Sequence, residues 1–196
     1  MNPTSPHASL AAPCPKTADC SGCAVTLCAQ STRVRDAVRL IQLGARAGLV
    51  HQLTGLGKAT ANRLYRQWHQ TPSPSGQRPF TDTWYRKDDR RMLQASLIWR
   101  LHRRLSRSGS HPARTLIQVF EAYLLLVPEP RLDLTRAEYV PRLVAMGTWW
   151  EQTCEYCGLP YLAPVENNDT ACPGCRLYFR HRSHQYGTDF EGGSLT

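Results

Sequence analysis

The sequence lacks long apolar runs, and this absence limits the kinds of protein that it can encode. Its longest apolar stretch, from Tyr123 to Val127, is five residues long, whereas a helix that spans a membrane needs about 20. The first seven residues, Met1 to His7, contain neither the basic nor the apolar region of a secretory signal. We therefore expect no membrane association and a cytoplasmic location, where cysteine thiols are kept reduced.

Acidic side chains are also scarce. The 196 residues include 15 Asp and Glu against 24 Lys and Arg, so that the formal net charge is +9. The imbalance is concentrated between residues 31 and 120, which hold 17 basic and four acidic side chains, a local net charge of +13. Such a section predicts a polyanionic partner, most often nucleic acid, because binding releases condensed counterions. A well-solvated surface is the alternative.

The few carboxylates are not grouped as a catalytic metal site requires. Asp88 and Asp89 are adjacent, but they lie among Arg and Lys residues that would more simply pair with them. A nuclease is therefore disfavoured.

What the sequence does contain is two matched cysteine pairs near its C-terminus. Cys154 and Cys157 form the first, Cys172 and Cys175 form the second, and 14 residues separate the pairs. This spacing is typical of tetrahedral zinc sites with four thiolates. Four protein ligands leave no open position for water or substrate, so we expect one structural Zn²⁺ ion per chain. A redox dithiol, an iron site and two disulfides are the alternatives, and spacing alone does not separate iron from zinc.

A second group of cysteines lies in the N-terminal segment, which is rich in Pro, Ala, Ser and Thr. Because this segment shows little apolar periodicity, we expect residues 1–31 to be largely disordered. Its cysteines are close enough in sequence to bind a second metal ion, and an oxidation-prone tail is the alternative. They are Cys14, Cys20, Cys23 and Cys28.

From residue 32 onward, the spacing of apolar residues predicts a mainly α-helical fold. One helix face is expected to run from Val34 to Leu49. A second helix is expected from about Lys58 to His69, with Trp68 on its buried face. The two are joined by a short glycine-containing turn, and the second has a polar outer face, which is typical of a helix-turn-helix hairpin. A hairpin that serves packing alone is the alternative.

A long helix is predicted from about Lys87 to Arg107. Four leucines recur along it at helical spacing and are expected to face the core. Four arginines at positions i, i+3, i+4 and i+7 form a basic stripe that suits a phosphate backbone. The leucines are Leu93, Leu97, Leu101 and Leu105, and the arginines are Arg100, Arg103, Arg104 and Arg107.

The segment from Thr135 to Glu138 predicts a capping box that opens a last helix. Pro141 is expected to kink or shorten this helix. We expect it to lead through a helical segment containing Trp149 and Trp150 directly to the cysteine site, where the two rings would join the small domain to the helical one. A surface for a partner protein is the alternative use of these rings.

These patterns divide the chain into four segments. They are a cysteine-containing extension (1–31), a basic helical domain for DNA and partner binding (32–150), a zinc-ribbon-like domain with four cysteines (151–185) and a flexible tail (186–196). The charge pattern alone selects nine candidate DNA contacts: Lys58, Arg66, Arg100, Arg103, Arg104, Arg107, Arg176, Arg180 and Arg182.

Several short motifs recur together from about Asp36 to Cys175. They comprise Leu-Ile-Gln-Leu-Gly-Ala-Arg at 40–46, Leu-Tyr-Arg at 64–66, the proline-rich loop 72–80, Asp82, Trp84, Leu-Thr-Arg-Ala at 134–137 and the closing cysteine pairs. As a set they resemble the FlhC family of flagellar transcriptional activators.

The resemblance implies a non-enzymatic, cytoplasmic activator that works only in complex with FlhD, typically as a heterohexamer of four FlhD and two FlhC chains. It implies binding to DNA upstream of flagellar promoters and help in recruiting RNA polymerase. The zinc ligands of the family correspond here to Cys154, Cys157, Cys172 and Cys175.

Three other interpretations stay open. The cysteine-bearing extension before Arg33 has no counterpart in the family, which would suit a divergent paralogue acting at other promoters. An RNA-binding zinc-ribbon protein fits the charge and the cysteines as well. A structural partner subunit without direct DNA contact fits if FlhD alone binds the DNA.

Overall fold

The computed structural model describes residues 25–76, 81–106, 111–167 and 169–186, with the backbone alone at 25–28 and 181–186. Within these ranges the chain is mainly helical, with eight helices and one antiparallel hairpin, which confirms the predicted fold class. None of the described helices could cross a membrane, since none is both long and apolar enough. The elements are α1 (Val25–Gln42), α2 (Ala47–Thr54), α3 (Lys58–His69), α4 (Thr83–Arg86), α5 (Asp89–Ser106), α6 (Pro112–Leu126), α7 (Leu134–Ala145), β1 (Trp149–Thr153), β2 (Pro160–Pro164) and α8 (Pro173–Tyr186).

Helix α5 is at the centre of the fold, where it packs against α4, α6, α7, α8 and β2. Its fully buried face contains Ala95, Ser96 and Ile98. Of the four leucines predicted to face the core, Leu97, Leu101 and Leu105 are partly buried against it, as expected, whereas the prediction is wrong for Leu93, which is 42% exposed. Small residues are favoured on the buried face of α5 because they allow strand β2 to approach closely. In this contact Leu162 N–H donates to Ser96 Oγ at 3.0 Å.

The helix predicted from Val34 to Leu49 is in fact two helices. α1 ends because Gly44 has a left-handed φ of 94° and Ala45 N–H donates to the Leu40 carbonyl at 2.8 Å. This arrangement is a common glycine stop at a helix C-terminus. The apolar spacing continues through the break, so periodicity alone did not show it.

The start of α1 corrects another boundary. Because α1 begins at Val25, residues 25–31 are helical and not part of a disordered extension. Residues 1–24 lie outside the described part of the chain. The other predicted domain boundaries, at 150/151 and 185/186, stay predictions.

Helix α3 has the predicted bounds, and the predicted two-helix hairpin is formed by α2 and α3. The turn between them contains Gly55, whose φ is 69°, and His51 Nδ1 lies 2.6 Å from the Leu56 carbonyl oxygen. The expected burial of Trp68 is wrong, since its side chain is 53% exposed. Ala61 is the fully buried residue of α3, so most of this helix surface faces outward.

Helix α7 starts and continues differently from the prediction. Its N-cap is Asp133, whose carboxylate accepts from Arg136 N–H at 2.8 Å, and not Thr135. Glu138, the other expected member of the capping box, instead accepts from Arg142 at 2.6 Å. Pro141 lies inside the helix, which continues to Ala145.

The segment after α7 is a strand, which corrects the expected helical conformation of Trp149 and Trp150. β1 pairs antiparallel with β2, and Trp149 lies opposite Pro164. Neighbouring residues of a strand point to opposite faces, so Trp149 is 1% exposed while Trp150 is 50% exposed. Helix α8 follows the hairpin, and α7 is therefore not the last helix.

Candidate metal centre and nucleic-acid interface

The four C-terminal cysteines come together in one cluster. Their sulfur atoms all lie within 4.8 Å of one another, and the pairs Cys154–Cys175 and Cys157–Cys172 are 3.8 and 3.7 Å apart. A tetrahedron with metal–sulfur bonds of about 2.3 Å has sulfur–sulfur edges of about 3.8 Å. The cluster therefore has the size of a four-thiolate metal site, and its fourfold cysteine ligation would close the site to substrate.

The hairpin and α8 position these thiols. Cys154 and Cys157 lie in the turn between β1 and β2, where Gly158 has a left-handed φ of 68°, which glycine adopts without strain. Cys172 precedes α8 and Cys175 lies in its first turn. At Gly174 an added Cβ would make ordinary van der Waals contacts, 3.6 Å from Leu93 Cδ1 and 3.7 Å from Cys172 Sγ.

Backbone amides favour negative charge on part of the cluster. Cys172 N–H donates to Cys154 Sγ at 3.2 Å. Burial acts to raise the pKa of the Cys154 thiol, but amides of Cys172, Cys157 and Tyr156 outweigh it together and lower the pKa to about 6. Burial raises the pKa of the Cys175 thiol to about 12. The backbone amides thus favour the thiolate form of Cys154, and a bound cation would favour thiolates throughout the cluster.

Trp149 anchors the hairpin to the helical part of the protein. Its Nε1 donates to Asp82 Oδ2 at 2.9 Å, and its ring meets Tyr85 edge-on with centroids 5.2 Å apart. Burial raises the pKa of Tyr85 far above its usual range, so its hydroxyl stays protonated and donates to the Arg136 carbonyl at 2.8 Å. Trp150 is 50% exposed and does not join the hairpin to the helices. Of the two rings predicted to do so, only Trp149 does.

Asp89, at the start of α5, ties down α8. Its side chain is 10% exposed and accepts from Arg176 Nη2 at 2.6 Å, and it also pairs with Arg180. Arg176 reaches Asp169 as well, at 3.1 Å. A carboxylate in the first turn of α5 also suits the helix dipole. Asp89 therefore connects α8, which carries Cys175, to helix α5 at the centre of the fold.

Three of the predicted DNA contacts take part in such internal ion pairs. Arg176 and Arg180 pair with Asp89, and Arg103 pairs with Glu151 of β1 at 2.5 Å. Glu151 also accepts from Trp99 Nε1 at 3.1 Å. The charge of these arginines is largely compensated inside the molecule, and their contact with DNA stays a prediction.

Four other candidates are exposed and have no ion-pair partner among the described residues: Lys58, Arg66, Arg100 and Arg104. The same holds, over the part of the chain described, for three arginines that sequence reasoning missed: Arg33, Arg35 and Arg63. Residues 25–70 hold seven Lys and Arg but a single carboxylate, Asp36, and it pairs with Arg114 of α6 at 3.6 Å. This local imbalance is the signal that could have found them.

The remaining predicted residues are not covered by side-chain description. Arg107, Cys14, Cys20 and Cys23 lie outside the described ranges. Arg182 lies in α8 and Cys28 in α1, where the backbone alone is described. The second metal site stays a hypothesis.

The fold and the cluster define a basic, mainly helical protein with a C-terminal hairpin built for a closed metal site. The family model "Flagellar transcriptional activator (FlhC)" matches residues 24–185. The chain belongs to the FlhC family of flagellar transcriptional activators, which are not enzymes, and this confirms both the resemblance and the expected non-enzymatic function.

Curated relatives agree with this assignment. The "Flagellar transcriptional regulator FlhC" of Sodalis glossinidius (strain morsitans) is 30% identical over 135 residues, 66% of this chain and 68% of the relative. The protein of the same description from Xenorhabdus nematophila is 27% identical over 152 residues, 73% of this chain and 78% of the relative. That from Thauera aminoaromatica is 28% identical over 151 residues, 74% of this chain and 77% of the relative.

Proposed function

We propose that this FlhC-family activator works in the cytoplasm with FlhD, binds promoter DNA of flagellar operons and helps to recruit RNA polymerase. The assembly of four FlhD and two FlhC chains follows from the family resemblance. The observation that carries direct DNA contact by this chain is the charge of α1 to α3. In these helices six basic residues accompany one carboxylate, which is buried, and Arg46 between α1 and α2 is a seventh.

Helix α3 is the best-suited DNA-contacting element. Lys58, Arg63 and Arg66 are exposed on it and have no carboxylate partner in the described structure. Uncompensated guanidinium and ammonium groups on one helix favour binding to phosphates, because each contact releases counterions. The polar face of this helix, opposite Ala61, leaves the contact surface open.

The four-cysteine cluster supports a structural Zn²⁺ ion. Four sulfur ligands at tetrahedral spacing suit zinc, and all ligand positions would be filled by protein. We infer that the ion, bound by Cys154, Cys157, Cys172 and Cys175, holds the β1–β2 hairpin and the start of α8 together. Metal analysis of the protein purified without added metal tests both the identity of the ion and its number per chain.

Neutralising α3 tests the DNA contact. Replacing Lys58, Arg63 and Arg66 by Gln in one variant removes three charges that make no ion pair within the described structure. We expect weaker binding to a flagellar promoter and a slope of log K against log salt that is smaller by roughly 2 to 3, since each lost phosphate contact removes about 0.9. Binding of the FlhD-containing complex at several salt concentrations measures both.

A matched variant controls for overall charge. Replacing Arg86, Arg90 and Arg131 by Gln also removes three exposed positive charges, but each of these arginines already has an acidic partner. We expect its salt slope to stay close to that of the parent protein. An unchanged slope in the α3 variant, with the complex intact, would remove α3 from the interface and favour a subunit without direct DNA contact.

Co-expression with FlhD tests the partnership separately. We expect the two chains to purify together with a mass that corresponds to four FlhD and two copies of this chain. A preference of the purified complex for single-stranded RNA over a promoter duplex would contradict the proposed function.

A further inference from the structure

A groove with a volume of about 600 Å³ lies between α1 and α6. Four charged residues line it: Arg35, Asp36 and Arg39 from α1 and Arg114 from α6. None of these arginines was selected by the sequence as a DNA contact. The three arginines carry like charges that repel one another, and Glu121 and Asp36 offset two of them.

Two of these arginines are already oriented by neighbouring side chains. Arg39 Nε lies 2.6 Å from Glu121 Oε1, and its Nη1 donates to Gln42 Oε1 at 3.1 Å. Arg114 Nη2 lies 3.6 Å from Asp36 Oδ1, a side chain that is only 10% exposed. Both guanidinium groups therefore lose less conformational entropy when they bind a ligand.

The third arginine leaves an excess positive charge. Arg35 is exposed and forms no ion pair within the described ranges. Asp36 and Glu121 compensate two guanidinium groups, so that one remains for a ligand anion. Val38 and Ile117 add an apolar surface to the lining, and the exposed carboxamide of Gln118 adds hydrogen-bonding capacity.

We propose that this groove binds a phosphate group. Guanidinium forks match phosphate oxygens in pairs, and a groove of this volume falls in the range of about 300–1,000 Å³ that small-molecule sites occupy. The phosphate belongs either to a phosphorylated small molecule of nucleotide size or to the backbone of bound DNA. In the second case the inference rests on the proposed DNA-binding function.

The test uses the full-length, metal-containing protein and ADP as the probe, titrated by calorimetry in the absence of DNA. Arg35→Gln removes the excess charge, and we expect it to weaken ADP binding about tenfold or more. Arg33→Gln is the matched control, since Arg33 is exposed on the same helix but does not line the groove. We expect its affinity for ADP to stay within about twofold of the parent value.

Two further measurements make the result specific. Gln118→Glu places a carboxylate in the groove and should also abolish ADP binding, without removing any existing ion pair. Adenosine, which lacks phosphate, should bind neither the parent protein nor the variants. Equal effects of Arg35→Gln and Arg33→Gln, or equal binding of adenosine and ADP, would overturn the proposal. So would the absence of saturable ADP binding together with unchanged DNA affinity in Arg35→Gln.

Competition with a promoter duplex distinguishes the two sources of phosphate. If the duplex displaces ADP, the groove is part of the DNA-binding surface. If both bind together, the groove serves a small molecule. The variant neutralised at Lys58, Arg63 and Arg66 should still bind ADP, so failure of the DNA-binding proposal and failure of the groove proposal give different results.

Discussion

At the scale of single residues, Asp89 links the start of α5 to α8 through ion pairs. It pairs with Arg176 and Arg180, and its side chain is almost buried. The negative charge of a nearly buried carboxylate is well compensated when it pairs with two guanidinium groups. Removal of that charge leaves both guanidinium groups without their shared ion-pair partner.

Asp89→Asn should therefore destabilise the protein. We expect a loss of about 2 kcal/mol in the free energy of unfolding, less than for a fully buried ion pair because Arg176 keeps its bonds to Asp169 and to the Ala171 carbonyl. Urea denaturation of the metal-containing protein, followed by circular dichroism, measures the change.

Arg180→Gln serves as the comparison for this prediction. Arg180 is 63% exposed, so its pair with Asp89 is screened by solvent and should contribute less than about 1 kcal/mol. Equal losses in Asp89→Asn and Arg180→Gln would show that the pair with Arg176 adds nothing to the attachment of α8.

Charged partners are the feature that sequence reasoning predicted least well. The cysteine ligands could be identified because their spacing is local, with two residues inside each pair. The partners Arg176 and Asp89 are 87 positions apart, and Arg103 and Glu151 are 48 apart. No pattern along the chain joins them, so these arginines were counted as available for DNA when they also hold the fold together.

At the scale of secondary-structure elements, the turn between α2 and α3 sets the orientation of the proposed DNA-contacting helix. Gly55 ends α2 in a left-handed conformation, and its N–H donates to the His51 carbonyl at 3.0 Å. Glycine is favoured here by backbone conformation and not by space, because a Cβ would meet nothing within 4 Å.

Gly55→Ala should accordingly cost about 1 kcal/mol in the free energy of unfolding, since alanine is strained at this φ. Gly48→Ala is the control: Gly48 lies inside α2 without a positive φ and has nothing within 4 Å of an added Cβ. It should stabilise the protein by about 0.5 to 1 kcal/mol, because alanine favours helix.

Opposite signs for these two glycine variants are the expected outcome, measured by chemical denaturation under one set of conditions. Destabilisation of equal size at both positions would contradict the conclusion that the left-handed conformation of Gly55 determines the cost.

The elements themselves were predicted unevenly, for physical reasons. α3 was located correctly because Gly57 precedes it and a proline-rich loop follows soon after it. Strand β1 of the β1–β2 hairpin was missed because Trp149 and Trp150 are both large and aromatic. The sequence therefore does not show that one is buried and the other exposed. In α5 the close approach of β2 favours alanine and serine on the buried face, although leucine is more apolar.

At the scale of the whole molecule, we expect the β1–β2 hairpin, which carries the first cysteine pair, and the basic helices α1 to α3 to respond differently to metal removal. The hairpin and α8 contact α5, whereas α1, α2 and α3 pack mainly among themselves and against α6. Removal of a metal from the four-cysteine cluster should act on the first group and leave the second largely intact, because these cysteines lie between residues 154 and 175.

Hydrogen exchange with and without a chelator measures this difference. After chelation we expect faster exchange in β1, β2 and α8, a smaller increase in α5, and little change in α1 to α3. A uniform increase across every helix would contradict a local role of the metal and show that the whole protein folds as one unit with it.

The ion pairs between Asp89 and α8 also have a consequence for the folding of the chain during its synthesis. Arg176 is made 87 residues after Asp89, so a ribosome working at about 5–20 residues per second needs roughly 4–17 seconds to supply it. Until α8 has been made, the surface of α5 that α8 contacts has no partner of its own chain. The nascent protein therefore passes through a period in which the part of α5 that contacts α8 is uncovered.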